Sequence, residues 1–158
     1  MTTFQTPRGS GTPSSIQAGA PERRLDPRAH GVRRVPCRHT SAFDLCAFGD
    51  AVERRDLAYQ LARYAPNADI RIVDPDHPPS APRVVRGTSA IRTWLFESDA
   101  GGLDVEVTHL VDGGDRFAFT QRRRRVDGTA VVEVSTAELQ AGMITTQHTI
   151  LTRAPTWS

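Results

Sequence analysis

The chain of 158 residues has room for one domain and a tail, and its 38% apolar content is enough for one hydrophobic core. Each of its 20 basic residues is an arginine, and a net charge of +2 is too small an excess to indicate nucleic-acid binding. No apolar run approaches the length that spans a bilayer, and the N-terminus lacks the apolar core of a secretory signal. We therefore expect a cytoplasmic protein with no nucleic-acid or membrane partner.

Sequence signatures of cofactor and metal sites are missing from the chain. It contains no Gly-rich dinucleotide motif, phosphate-binding loop, nucleophile elbow or zinc-ligand set. Cys37 and His39 lack a second ligand pair at metal-binding spacing, and two cysteines are too few for a disulfide framework. We expect no cofactor and no metal, and we expect Cys46 to be a small buried apolar residue of the first helix.

Composition divides the chain into a tail and a domain. Residues 1–39 are rich in Pro, Gly, Ser, Thr and Arg and show no hydrophobic period. Such a segment cannot bury enough apolar surface to offset the entropy lost on ordering. The sequence thus predicts a disordered N-terminal tail over 1–39, a domain over 40–153 and a C-terminal tail over 154–158.

The first part of the domain has the pattern of two helices. Ser41 and Asp44 form a capping-box-like start for the first helix. The second is predicted over residues 57–64, with Asp56 as its N-cap, and Pro66 ends it because proline disfavours helical geometry at the residue before it.

The domain sequence after the second helix predicts one short strand, one more helix and four longer strands. A strand over 68–74 leads into a proline-rich loop, and a third helix over 88–98 starts with Thr88 as N-cap. Apolar and polar residues then alternate in four stretches separated by Gly-containing turns, residues 103–111, 116–126, 129–139 and 143–152. This order predicts an α+β fold with helices packed on one face of a curved, mainly antiparallel sheet.

The order and spacing of these elements resemble the nuclear transport factor 2-like superfamily, and within it the branch of SnoaL-like polyketide cyclases and ketosteroid isomerases. The resemblance covers residues 41–152. The segments that carry it are Asp56 to Ala65, Ala68 to Pro75, Gly87 to Ile91, and the turns at Gly113-Gly114-Asp115, Asp127-Gly128 and Gly142-Met143-Ile144. This fold hosts enzymes, binding modules and accessory domains, so it does not by itself decide the activity.

The resemblance implies a cone-shaped roll around a deep, mostly apolar cavity. In isomerase-like members, an aspartate on the first strand removes a proton beside a carbonyl, and a tyrosine and a protonated acid hold the oxyanion. Here the tyrosine position falls on Phe48, the second acid near Ser135, and the base position on Ile72. The resemblance therefore disfavours the steroid isomerase reaction for this chain.

Asp74 is the candidate catalytic residue. It lies two residues beyond Ile72, so strand alternation places it on the same face, nearer the rim of the implied cavity. An apolar cavity would raise the pKa of its carboxyl toward the range useful for proton transfer. The structural alternative is an Asp-Pro turn in which the side chain binds its own backbone.

Six further residues are candidates for the lining of the pocket. The resemblance places Tyr64 in the site, and strand parity with Val105 and Val107 places His109 on the apolar face. Each also has a structural interpretation, as a core, loop or surface side chain. The full set is Tyr64, Trp94, His77, His109, Ser135 and Gln147.

The run Arg122–Arg125 lies in a predicted strand. Alternate arginines must then point to opposite faces, so no patch of four forms. An arginine on the inner side could bind an acidic ligand group, but pairing with Asp127, Glu133 or Glu138 is the favoured interpretation.

Two functional hypotheses follow from the sequence. The first is a cofactor-free isomerase, cyclase or hydratase that binds a hydrophobic small molecule and uses Asp74 as its general acid/base. The second is a non-catalytic ligand-binding or interaction domain that forms a homodimer through its sheet. Nucleic-acid binding through the arginine strand is the least favoured, and steep salt dependence would be its signature.

Overall fold

The computed structural model describes residues 42–154. The predicted tail over 1–39, the domain start at Thr40 and the capping residue Ser41 lie outside the described residues. The described residues form three helices and six strands in the order α1 (Leu45–Glu53), α2 (Leu57–Leu61), β1 (Tyr64–Val73), β2 (Arg83–Arg86), α3 (Gly87–Asp99), β3 (Gly102–Asp112), β4 (Arg116–Arg125), β5 (Ala130–Gln140) and β6 (Met143–Ala154). The predicted α+β class is confirmed.

The six strands form one mixed sheet in the order β2-β1-β6-β5-β4-β3. The strand pairs are antiparallel except for β1 and β6, which run parallel. Helix α1 packs near β3 and α3 packs near β1, so a single hydrophobic core lies between the helices and one face of the sheet. We call this the inner face and the opposite one the outer face.

The second helix is shorter than predicted, and the first strand is longer. Helix α2 ends at Leu61, and Tyr64 already pairs with Ile144 of β6. Strand pairing therefore overrides helix propensity at Tyr64, which the sequence had placed on the helix. Pro66 lies where the pairing of β1 with β6 shifts register, between Tyr64 and Asp69, and a residue without an N–H is tolerated at such an irregularity.

The predicted proline-rich loop contains a strand that the sequence analysis missed. Strand β2 has four residues and pairs with β1, with Val85 opposite Ile70. Four residues are too few to show a convincing alternation, and the prolines before them favour a loop. The predicted N-cap at Thr88 is also wrong, because α3 already begins at Gly87, whose φ of 78° turns the chain out of β2.

Four phenylalanines close one end of the core. Phe48 of α1 lies with its ring centroid 5.7 Å from Phe117 and 5.8 Å from Phe119, both edge-on. Phe43 stacks on Phe117 at 4.9 Å. Edge-on and offset contacts between rings are the favoured geometries and add to the energy of burial.

Cys46 differs from the sequence expectation. Its side chain is half-buried in α1, and it is disulfide-bonded rather than a buried apolar side chain. Among residues 42–154, no helix is long and apolar enough to cross a membrane.

Replacing Phe48 with alanine should lower the free energy of unfolding by about 3–5 kcal/mol, because a large ring that is 1% exposed would leave a cavity. Phe96→Ala is the matched control, since that ring is 66% exposed on α3, and it should cost within about 0.5 kcal/mol. Denaturant unfolding of both variants measures the difference. Equal losses for the two would contradict the core assignment.

Candidate functional site

The inner face of the sheet changes from apolar to polar along its central strands. On β4 the inward residues run from Phe117 and Phe119 to Gln121 and Arg123. Strands β5 and β6 show the same change across the sheet. We call the polar part the inner-face polar cluster, and its members are Tyr64, Gln121, Arg123, Glu133, Ser135, Gln147 and Thr149.

One half of this cluster is a network of neutral hydrogen bonds. The Tyr64 hydroxyl donates to Gln147 Oε1 at 2.7 Å. Gln147 Nε2 donates to Thr149 Oγ1 at 2.9 Å and to Ser135 Oγ at 3.3 Å. The hydroxyls of Ser135 and Thr149 are 2.9 Å apart. The network joins β1, β6 and β5, so it fixes four side chains on three strands.

The other half carries a buried ion pair. Arg123 Nη2 lies 3.3 Å from Glu133 Oε2, and the side chains are 13% and 1% exposed. Arg123 Nη1 also donates to the carbonyl oxygen of Ser98 on α3 at 2.7 Å. Ser135 Oγ donates to Glu133 Oε1 at 3.3 Å, which connects the ion pair to the neutral network. The favoured interpretation, that the arginine run pairs with a carboxylate such as Glu133, is confirmed for Arg123.

Three polar atoms of the cluster have no hydrogen-bond partner within the described protein. They are Gln121 Oε1, Arg123 Nε and Glu133 Oε2. A cavity of about 10 Å³ lies between the helices and the sheet, and both Gln121 and Arg123 line it. This space is much smaller than the deep cavity that the sequence resemblance implies. It nevertheless lies against Gln121 and Arg123, two of the residues that carry unpartnered polar atoms.

Tyr64 is held in its protonated form. Burial of the phenol raises its pKa far above the ordinary value, the negative charge of Glu133 raises it further, and Arg123 opposes this in part. The hydroxyl therefore acts as a hydrogen-bond donor in the cluster and does not serve as a base.

This assignment is testable by titration, because the chain contains two tyrosines. In a Tyr59→Phe variant, we expect no phenolate absorbance near pH 10 while the protein is folded. Unfolded tyrosine loses its proton at about pH 10 and folded Tyr64 does not, so stability should fall as the pH rises above that value. The same variant in denaturant is the control and should titrate near pH 10. A phenolate signal there from the folded variant would contradict a buried hydroxyl.

Asp74 lies at the far end of β1, in a turn. Its Oδ1 accepts hydrogen bonds from the backbone N–H groups of Asp76 and His77, each at 2.8 Å, and lies 3.0 Å from His77 Nδ1. Backbone bonds of 3.1 Å in both directions between Asp74 and His77 close the turn. The geometry matches the structural alternative, in which the aspartate binds its own backbone.

The environment of Asp74 does not raise the pKa of its carboxyl, contrary to the expectation from the sequence. Partial desolvation acts to raise the pKa of its carboxyl, but the hydrogen bonds from His77 and from two backbone N–H groups outweigh it and lower the pKa. The expectation of a raised pKa is therefore wrong, because the carboxylate is bonded within a turn and not enclosed by apolar side chains. Its part in catalysis stays a prediction.

Five of the other six predicted site residues divide into three groups. Tyr64, Ser135 and Gln147 come together in the polar cluster, and His77 lies with Asp74 in the turn. Trp94 is 4% exposed and belongs to the hydrophobic core.

His109 is exposed on β3, so the expectation that it lies on the apolar face is wrong. A register shift between Val107 and His109 reverses the alternation there, and Leu110 packs against the core instead. The Thr108 hydroxyl is the polar neighbour of its ring, 2.9 Å from Nδ1.

Gln121, Glu133 and Thr149 were not predicted as site residues, and Arg123 was predicted only as part of a charge run. On β5 the polar Glu133 and Ser135 face the core, while Val134 between them is 46% exposed. Alternation locates the two faces of a strand but cannot say which one is covered. Glu133 lies four residues from the buried Ala137 on β5, so the two side chains share a face of the strand. A charged residue on the buried face is the signal that could have revealed the site.

The outer arginines of β4 pair with β3. Arg124 forms an ion pair with Asp104, and Arg122 lies opposite Glu106 in the strand register. The prediction that the arginine run divides between two faces is confirmed. Among residues 42–154, no group of three or more His, Cys, Asp or Glu side chains has an arrangement suited to a metal ion.

Comparison with protein-family models and with curated proteins gives no match. Solved structures do match. An NTF2-like (nuclear transport factor 2-like) protein of unknown function from Mesorhizobium loti is 20% identical with a TM-score of 0.58, over 68% of this chain and 86% of that chain. An NTF2-like protein of unknown function from Burkholderia xenovorans LB400 is 16% identical with a TM-score of 0.55, over 72% and 82%.

The chain has the nuclear transport factor 2-like fold. The fold that the sequence resemblance implied is thus confirmed. A candidate ketosteroid isomerase from Kribbella flavida DSM 17836 shares this fold, with 17% identity and a TM-score of 0.56 over 72% of this chain and 79% of that chain. At such identities, the likeness establishes the nuclear transport factor 2-like fold and leaves the chemistry to the residues of the site.

Proposed function

We propose that the protein is a cofactor-free enzyme of the isomerase, cyclase or hydratase type, acting on a small, largely apolar metabolite at the inner-face polar cluster. The observation that carries the proposal is the buried Arg123–Glu133 pair, whose arginine lines a small cavity between the helices and the sheet. Keeping two charges out of water costs several kcal/mol per ion, and apolar residues of similar volume would often be more stable. A fold that retains such a pair in its core is therefore a candidate for proton-transfer chemistry.

Glu133 is the proposed general acid/base. Its Oε1 accepts a hydrogen bond from Ser135, and its Oε2 lies 3.3 Å from Arg123 Nη2 in an ion pair rather than a hydrogen bond, so Oε2 keeps a lone pair for exchanging a proton with a ligand. Arg123 is itself held by the carbonyl oxygen of Ser98, so the ion pair fixes the position of the carboxylate. Isomerisation, cyclisation and hydration each need a positioned proton acceptor and no redox cofactor.

Ligand entry requires a helix at the wall of the cavity to move. A volume of about 10 Å³ holds no more than a water molecule, so a metabolite must displace the wall of the cavity. Leu57 and Gln60 of the five-residue helix α2 belong to that wall. We propose that α2 moves outward when the ligand binds.

Asp74 remains the rival base, and matched variants decide between the two carboxylates. In a screen of small aromatic and unsaturated carbonyl compounds, Glu133→Gln should lower turnover by at least about 100-fold, the usual contribution of a general base. Asp74→Asn should keep the wild-type rate, because an Asn side chain preserves the turn. Loss of turnover in Asp74→Asn alone would identify Asp74 as the base.

A control for folding accompanies this test. Glu133→Gln leaves Arg123 buried without its counter-charge, which can itself destabilise the protein by about 3–5 kcal/mol. The double variant Arg123→Met/Glu133→Met removes both charges at similar volume and should restore stability without restoring turnover. Thermal denaturation of all variants separates loss of chemistry from loss of fold. Full turnover in the double variant would reject the cluster as the active site.

The outer face of the sheet favours a second proposal, a homodimer formed through the sheet. Thr120, Val134, Ile150 and Val73 lie opposite one another in register across four strands. Val134 and Ile150 are 46% and 57% exposed. Adjacent apolar side chains of this kind on an uncovered sheet face are typical of a protein interface. A second copy pairing face to face would bury the same row on both chains, as twofold symmetry requires.

Ile150→Glu should convert the dimer to a monomer, because it places a charge in the centre of the buried row. Leu103→Glu is the matched control, since Leu103 is a similarly exposed apolar residue, at 58%, on β3 at the sheet's far edge. Light scattering coupled to size-exclusion chromatography measures the mass of each. A monomeric wild-type protein, or a dimer that survives Ile150→Glu, would overturn this proposal.

A further inference from the structure

We infer that the inner-face polar cluster recognises a hydrogen-bond donor, the hydroxyl or N–H group of its ligand, through Gln121 Oε1 and Glu133 Oε2. This inference rests on the proposed function and specifies the class of ligand.

The two oxygens belong to neighbouring residues. Gln121 and Glu133 are directly opposite each other in the pairing of β4 with β5, and both face the core. Their side chains are 2% and 1% exposed. Gln121 Oε1 has no hydrogen-bond partner in the described protein, and Glu133 Oε2 has only its ion pair with Arg123 Nη2 at 3.3 Å. A buried acceptor left unpaired is costly, so Gln121 Oε1 beside the remaining lone pair of Glu133 Oε2 is suited to receive a donor.

Arg123 supplies the complementary donor. Its Nε carries an N–H without a hydrogen-bond partner, whereas its two outer nitrogens already contact Glu133 and the carbonyl of Ser98. A hydroxyl group both donates and accepts, so it can satisfy one of the acceptors and this N–H at once. A water molecule, with two hydrogens, can satisfy all three atoms.

A carboxylate ligand fits this arrangement poorly. It would bring a second negative charge beside Glu133, and the guanidinium edge that could bind it bidentately is already occupied. The sequence alternative, in which an inward arginine binds an acidic ligand group, is therefore disfavoured at this site. The cavity volume of about 10 Å³ matches a single water.

Four probes that share one ring test the inference: benzyl alcohol, benzylamine, benzyl methyl ether and benzoate. Binding is measured with the full chain by ligand-observed magnetic resonance. Benzyl alcohol and benzylamine should bind at least about tenfold more tightly than the ether, as expected for a hydrogen bond to a charged acceptor. Benzoate should bind more weakly than the alcohol.

Gln121→Leu is the diagnostic variant. It should reduce the preference for alcohol over ether several-fold while leaving ether affinity unchanged, and the unchanged ether affinity shows that the pocket is still folded. Gln140→Leu, on the exposed end of β5, is the matched control and should keep the full preference.

The outcomes separate this inference from the proposed function. Equal affinity for alcohol and ether, or tightest binding of benzoate, overturns donor recognition and leaves the pocket in place. Binding of none of the four probes overturns the inference together with the proposed pocket. A preference for the alcohol that depends on Gln121 supports both.

Discussion

The charge pair between Arg123 and Glu133 is the interaction around which the interior is arranged. Its desolvation cost must be offset locally, and the contacts to Ser98 and Ser135 do part of this. These contacts join α3, β4 and β5, and Ser135 continues the connection to Gln147 and Thr149 of β6. A polar network that spans the sheet also fixes the register of its strands, because a slip by one residue would turn every member to the outer face.

Much of the fold could be predicted from sequence because its signals are local. Caps, glycine turns and alternation located α1 and the four long strands to within a few residues, and Asp44 and Asp56 cap their helices through side-chain bonds at 2.9 Å. The misses at β2 and at the start of β1 have a different cause. Both segments become strands through pairing with residues distant in the chain, and local propensity carries no information about such partners.

The site was less predictable than the fold. Tyr64, Ser135 and Gln147 were found through the family resemblance, while Glu133 was hidden by an inverted pattern, in which Val132 and Val134 of β5 lie on the outer face. That inversion has a physical basis if both faces of the sheet are covered, one by the helices and the other by a second chain. For Asp74 the expectation of a raised pKa failed, because an Asp-Pro pair has the same sequence whether it serves a turn or an active site.

The parallel pairing of β1 with β6 has a kinetic consequence. The hydrogen bond between Tyr64 and Gln147 joins residues 83 positions apart. Loops of this length close slowly, and the antiparallel hairpins of β3 to β6 can form without waiting for them. Folding should therefore begin in the C-terminal hairpins, with the N-terminal strand docking last. The cluster members on β4 to β6, Glu133 and Arg123 among them, would then come together first, and Tyr64 would complete the network only at the final step.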